Sequence, residues 1–146
     1  MSLNSKQVAE LLKQVDYIVS KNIAIQDIKP QDLDMPSFLT EVESWKNQLT
    51  IGLGVILIRG FPIDQWETTE SEIATWCMGL ILGVPGGQNL SDDLLGHVTK
   101  NQSLGVERNT RLYKTNQHIS YHCDYADVVG LMCLSQATTG GASRIA

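Results

Sequence analysis

Residues 122–146 read HCDYADVVGLMCLSQATTGGASRIA, and the fold turns on how they are read. The run 128–134 is rich in Val, Leu and Met and free of Pro, which marks the strongest strand in the chain. Thr138, Thr139, Gly140 and Gly141 supply a turn. Ser143 begins a return strand that is expected to run on past Ala146. His122 and Asp124 stand two apart just ahead of the apolar run. Residues i and i+2 of an extended chain share a face, with Cα atoms about 6.5 Å apart.

That spacing allows a short carboxylate and an imidazole to converge on one ion. Neutral imidazole with carboxylate suits a divalent first-row metal, and two His plus one carboxylate on one face of an octahedron is the non-haem Fe(II) arrangement. Its open positions let a co-substrate and O₂ bind together, which a closed structural site does not allow. On pattern alone most such pairs are chance, and the pair reads sooner as a surface or hydrogen-bonded couple than as a metal site. His118 lies four residues before His122, about 13 Å away on a regular strand, which is too far for a shared ion. His97, in LLGHVTKN, reads as a ligand or as a sheet or loop histidine. Spacing alone does not identify a second histidine ligand.

Outward from this stretch, the first half of the chain is helical. Val8, Leu11, Leu12, Val15, Ile18 and Val19 recur at helical spacing. Pro30 and Pro36 bound a connector. Phe38, Val42, Trp45 and Leu49 predict a second helix that starts at Pro36 or Ser37, with Gly52 and Gly54 punctuating its end. VILIRGFP, residues 55–62, is β-branched and bounded by Gly and Pro, so it predicts a buried strand. Thr69 and Glu72 have capping-box spacing and open a third helix carrying Ile73, Trp76, Cys77, Leu80 and Ile81, closed by a left-handed cap at Gly83. Residues 94–98 and 111–115 predict short strands, after a polar loop over residues 86–93. Helices first and short strands afterwards indicate α+β with an antiparallel sheet rather than βαβ units, and the strand-rich part fits a jelly roll.

The totals narrow the function. At 146 residues the chain is read as one domain. A net charge of −5, with no basic run, argues against a nucleic-acid binder. Residues 55–58 and 128–134 are far too short to span a bilayer, and the N-terminal MSLNSKQVAELLKQ lacks an apolar secretory core. The three cysteines, Cys77, Cys123 and Cys133, have no metal-finger spacing, so a reducing, cytoplasmic setting is expected.

Taken in order, VILIRGFP, a helix ending in LGVP, the Gln88–Asn89 pair, LLGHV, RLYKTN and then H-x-D, an apolar strand, Gly-Gly and Ser resemble the TauD/TfdA-like Fe(II)/2-oxoglutarate-dependent dioxygenases over roughly residues 50–146. The resemblance implies a double-stranded β-helix, the jelly roll, entered after helical residues 1–50, with residues 51–146 forming its N-terminal part around one inserted helix. It implies Fe(II) held by His122, Asp124 and a distal histidine, and 2-oxoglutarate as co-substrate near Ser143. It also implies oxidation of a small organic substrate by O₂, with release of succinate and CO₂. The family's distal histidine and its 2-oxoglutarate-binding arginine have no counterpart here. A jelly roll needs about eight strands and about five are readable, so the domain is expected to be incomplete and inactive alone. A complementing C-terminal segment or a homo-oligomer would then complete it. Related halogenases carry Gly or Ala at the carboxylate position, so Asp124 favours hydroxylation or another oxidation.

Other residues carry two readings each. Tyr113, Thr115 and Asn116 precede the metal segment and read as pocket lining, Thr115 beside the co-substrate, or as sheet surface. Arg108 and Arg111 read as solvated cations or contacts to an anionic substrate. Gln88 and Asn89 fit turn chemistry or substrate contact. Tyr121 and Tyr125 are expected to pack beside the site. Cys123, Cys133 and Cys77 are expected in the core, with Phe38, Trp45 and Trp76. Trp66 has no pattern behind it.

Overall fold

The structure, a computed structural model, describes residues 1–88, 93–98, 120–140, 142 and 144. Two compact units divide the chain: Met1–Pro85 with Gly130–Ala146, and Gly86–Val129. The expected strand over 111–115, the residues Thr115, Ser143, Tyr113, Asn116, Arg108, Arg111, Asn89 and His118, and the distances they would set lie outside the described residues.

The first unit is a helical layer. Helix α1 spans Ser5–Ser20. Asn4 caps it, its Oδ1 accepting from the backbone N–H of Lys6 at 2.9 Å and of Gln7 at 3.0 Å, while Gln7 Oε1 accepts from Asn4 N–H at 2.9 Å. At the other end Asn22 takes a left-handed φ of 51° and stops the helix. Leu11, Val15 and Ile18 are buried as expected, but Val19 is exposed, and Gln7 and Gln14 are buried instead. The buried stripe therefore runs 7, 11, 14, 15, 18. Its polar members are satisfied. Gln14 Nε2 donates to Asp32 O at 3.2 Å and its Oε1 accepts from Asp34 N–H at 2.8 Å. Glu10, one turn before Gln14, accepts from both the N–H and the hydroxyl of Ser37, at 2.8 and 2.7 Å. Gln7 Nε2 donates to Glu41 Oε1 at 3.1 Å. One edge of α1 thus ties down the connector, whose 3-10 turns are Ile25–Asp27 and Pro30–Asp32. Lys13 and Asp34 add an exposed ion pair at 2.7 Å, which holds the Lys13 ammonium above its ordinary value.

The expected second helix is two: α2, Pro36–Leu39, and α3, Val42–Thr50. At Glu41 the backbone tightens to a bond three residues back, Glu41 N–H to Phe38 O at 3.0 Å, and this breaks the 3.6-residue repeat. Phe38 and Trp45 still meet across the break, edge to face, at 6.0 Å between ring centres and 84° between planes. Helix α4 spans Thr68–Leu82 and packs against α1 and α3. It starts one residue before the expected Thr69, and its reciprocal acid is Glu70, accepting from Glu67 N–H at 3.1 Å, not Glu72. Gly83 is extended, at φ −176° and ψ −151°, so no left-handed cap closes the helix. Ile73, Ala74, Trp76, Cys77 and Ile81 are core residues.

Among the described residues no strand longer than an isolated bridge forms. Residues 55–62 make a single parallel bridge, Arg59 with Ser2. It is carried by Leu3 N–H to Arg59 O at 2.8 Å and Arg59 N–H to Met1 O at 3.1 Å, with the Met1 amino group donating to Leu57 O at 2.8 Å. Val55 is 40% and Leu57 60% exposed, so this segment is not the buried strand its composition suggests. An extended segment becomes a strand only when a neighbour takes up its backbone groups, and among the described residues only residues 1–3 do so. Residues 94–95 bend rather than extend, and residues 128–134 are mostly exposed. Within the first unit Met132 is seated on α4, where Thr75 Oγ1 donates to its Sδ at 3.2 Å. Within the expected turn, residues 138–139 bend and Gly140 takes a left-handed φ of 78°.

Candidate metal site

His122 and Asp124 lie in the second unit, Gly86–Val129, on an irregular run over 120–124 that ends in a bend at 125–127. The two side chains approach each other, with His122 Nε2 3.9 Å from Asp124 Oδ1. The other ring nitrogen, Nδ1, lies 2.9 Å from the backbone carbonyl oxygen of Ser120. Ser120, His122 and Asp124 therefore form a chain of contacts along alternate residues. The side chains of His122 and Asp124 are 59% and 57% exposed, which leaves the space in front of them open to a ligand.

The donor types fit a divalent first-row ion. Two ligands each about 2.1 Å from one ion and at right angles stand about 3 Å apart, and a small rotation of either exposed side chain closes the pair to that separation. Among the described residues no group of three His, Cys, Asp or Glu side chains is arranged to hold a metal. His97 is exposed and belongs to no such group.

The neighbours differ from expectation. Cys123, expected to turn away from the pair into the core, is exposed, as is Cys133, and Cys77 alone is buried. Tyr121 and Tyr125 are exposed, not packed beside the site. Alternation predicts direction and says nothing about whether another layer covers that side. Ser120 is the contact that sequence reasoning missed, and no sequence signal marks it, because the partner is a backbone carbonyl that any residue would supply. In the first unit Trp66 lines an open concavity of about 330 Å³ with Ile63, Asp64, Glu67, Thr68, Ser71 and Leu134. No described helix is long and apolar enough to cross a membrane.

The chain belongs to the family described as taurine catabolism dioxygenase TauD, TfdA family, whose model matches residues 21–146. A particular relative is FR-33289 synthase of Streptomyces rubellomurinus (strain ATCC 31215), 27% identical over 139 residues. The match covers 94% of this chain and 41% of that relative, so the chain spans less than half of the relative's length.

Proposed function

We propose that this chain carries the metal-binding segment of a non-haem Fe(II)/2-oxoglutarate-dependent oxygenase that hydroxylates or otherwise oxidises a small organic molecule. The observation that supports this reading best is the 3.9 Å approach of His122 Nε2 to Asp124 Oδ1 inside a family match over residues 21–146. His122 offers a nitrogen lone pair, and Asp124 offers an anionic oxygen that offsets the ion's charge. Ser143 and Thr115 are assigned to the co-substrate side, where a hydroxyl donates to a carboxylate. Bound at the pair, Fe(II) would supply the open positions for 2-oxoglutarate and O₂ and the oxidation that releases succinate and CO₂. Asp124 fills the position at which a halide would otherwise enter, which supports oxygenation over halogenation. The helical residues 1–50 and the remainder belong, in this reading, to one jelly-roll oxygenase domain of a cytoplasmic enzyme.

Iron-dependent formation of succinate from 2-oxoglutarate by the full-length protein tests this directly. Turnover is expected for the wild type and lost in His122→Ala. A protein that includes a distal histidine yet neither binds Fe(II) nor turns over would refute the reading. A second reading rests on the 41% span of the relative and on the lack of a third ligand among the described residues. In it, the 146 residues act only with a downstream segment or a complementing partner, since a two-ligand site holds Fe(II) weakly. Tight, stoichiometric iron binding by the 146-residue chain alone would exclude it.

A further inference from the structure

The contact between His122 Nδ1 and the Ser120 carbonyl oxygen, at 2.9 Å, constrains the imidazole more than its distance to Asp124 does. A carbonyl oxygen only accepts, so Nδ1 must carry a hydrogen to make this bond. A neutral imidazole has one N–H, which leaves Nε2 as a bare lone pair. That lone pair faces Asp124 Oδ1 at 3.9 Å, and a carboxylate is also an acceptor. Two acceptors turned towards each other need a bridge between them, a cation, a proton or a water molecule, and a divalent ion is the bridge that engages both lone pairs most strongly. In an imidazole without neighbours the Nε2–H tautomer predominates, and its proton would occupy the position the ion needs.

We propose that the Ser120 backbone carbonyl is the positioning group of this site: it fixes His122 as the Nδ1–H tautomer and so presets Nε2 as the metal-facing donor. Hydrogen bonds from the distal nitrogen of a ligand histidine to a backbone carbonyl fix tautomer and ring orientation and raise ligand basicity. Here the partner comes from the main chain two residues upstream, so the device survives any substitution of the Ser120 side chain. The role assigned to Ser120 rests on the metal reading of His122 and Asp124, and it adds a state of the metal-free protein that can be observed separately.

The full-length protein, labelled with ¹⁵N-histidine and free of metal, is examined by long-range ¹H–¹⁵N correlation at alkaline pH, where an ordinary imidazole is neutral. The His122 signals are assigned by their loss in His122→Gln. The expected pattern is a protonated Nδ1 and an unprotonated Nε2; an Nε2–H tautomer overturns the proposal. In a second arm, Tyr121 is replaced by its α-hydroxy-acid counterpart, which turns the Ser120 amide carbonyl into an ester carbonyl, a weaker acceptor. The dissociation constant for Co(II) is expected to rise about tenfold with an unchanged far-ultraviolet circular dichroism spectrum. An unchanged constant overturns the proposal. If the wild-type protein binds no Co(II), the metal reading fails, and the tautomer measurement still decides whether Ser120 orients the ring.

Discussion

Replacing Asp124 by Gly removes the one anionic donor within reach of His122 Nε2 among the described residues and leaves the imidazole without its carboxylate partner to hold a dication. Asp124→Gly is expected to weaken Co(II) binding by more than the roughly 10–100-fold typical for loss of a ligand's hydrogen-bond partner, and to abolish succinate release. Calorimetric titration and a succinate assay check this, and retained affinity would mean that the carboxylate is not a ligand. The cysteines allow a separate test. Burial pushes the Cys77 thiol up to about 12, so it stays protonated and inert at about pH 8. Cys123 and Cys133 are exposed. Alkylation followed by mass spectrometry should modify those two thiols quickly and Cys77 only after denaturant is added; fast native labelling of Cys77 would contradict its burial. At this scale the sequence singled out the pair by its spacing, and His122 Nε2 lies 3.9 Å from Asp124 Oδ1; its role as a metal site stays a proposal. The sequence was not legible for burial, because Cys123, Tyr121 and Tyr125 owe their exposure to what does not lie against them.

Among the elements, α1 shows why apolar periodicity located the helix but misjudged the orientation of its face. Val8, Leu12 and Val19 suggest a broad apolar stripe, yet Gln7 and Gln14 sit deeper than Val19. Their amides are buried because residues 32–34 and 41 present backbone and carboxylate partners that a sequence pattern does not reveal. Gln14→Ala would strand the Asp34 N–H and the Asp32 carbonyl and is expected to cost about 1–3 kcal/mol, seen as a lower midpoint in urea with an unchanged slope. A neutral result would show that water replaces both bonds. The same logic explains the break between α2 and α3: the apolar residues Phe38, Val42, Trp45 and Leu49 keep helical spacing whether or not a tight turn interrupts the backbone at Glu41. The shift of the α4 cap from Thr69 to Glu67 is the ordinary ambiguity of a stretch, ETTESE, in which several residues satisfy capping spacing.

For the whole molecule, the helices-then-extended order was legible and the sheet was not. Each helix satisfies its own backbone, so it forms within the described residues. A strand depends on a neighbour that a local pattern does not supply, and among the described residues, 55–59 pair with residues 1–3 alone. The described core therefore rests on helix packing, and Trp45, 1% exposed and set edge-on against Phe38, is its largest buried side chain. Trp45→Ala is expected to destabilise by about 3–5 kcal/mol, a large part of the stability of a domain this size. Chemical denaturation followed by circular dichroism measures the loss, and a change below about 1 kcal/mol would mean that the helical layer is not the cooperative unit.

The parallel bridge between Ser2 and Arg59 also imposes an order in time. Its flanking hydrogen bond from Met1 to Leu57 spans 56 positions, and α1, α2 and α3 all lie inside that loop. During synthesis at about 5–20 residues per second, residues 1–3 wait about three to eleven seconds for their partners to be polymerised. In that interval α1 has time to form and to recruit its connector through Gln14 and Glu10, since helices form within about a microsecond. Residues 1–3 are thus placed only after the residues between them and Leu57 have been made, and they settle on a helical platform already built behind them.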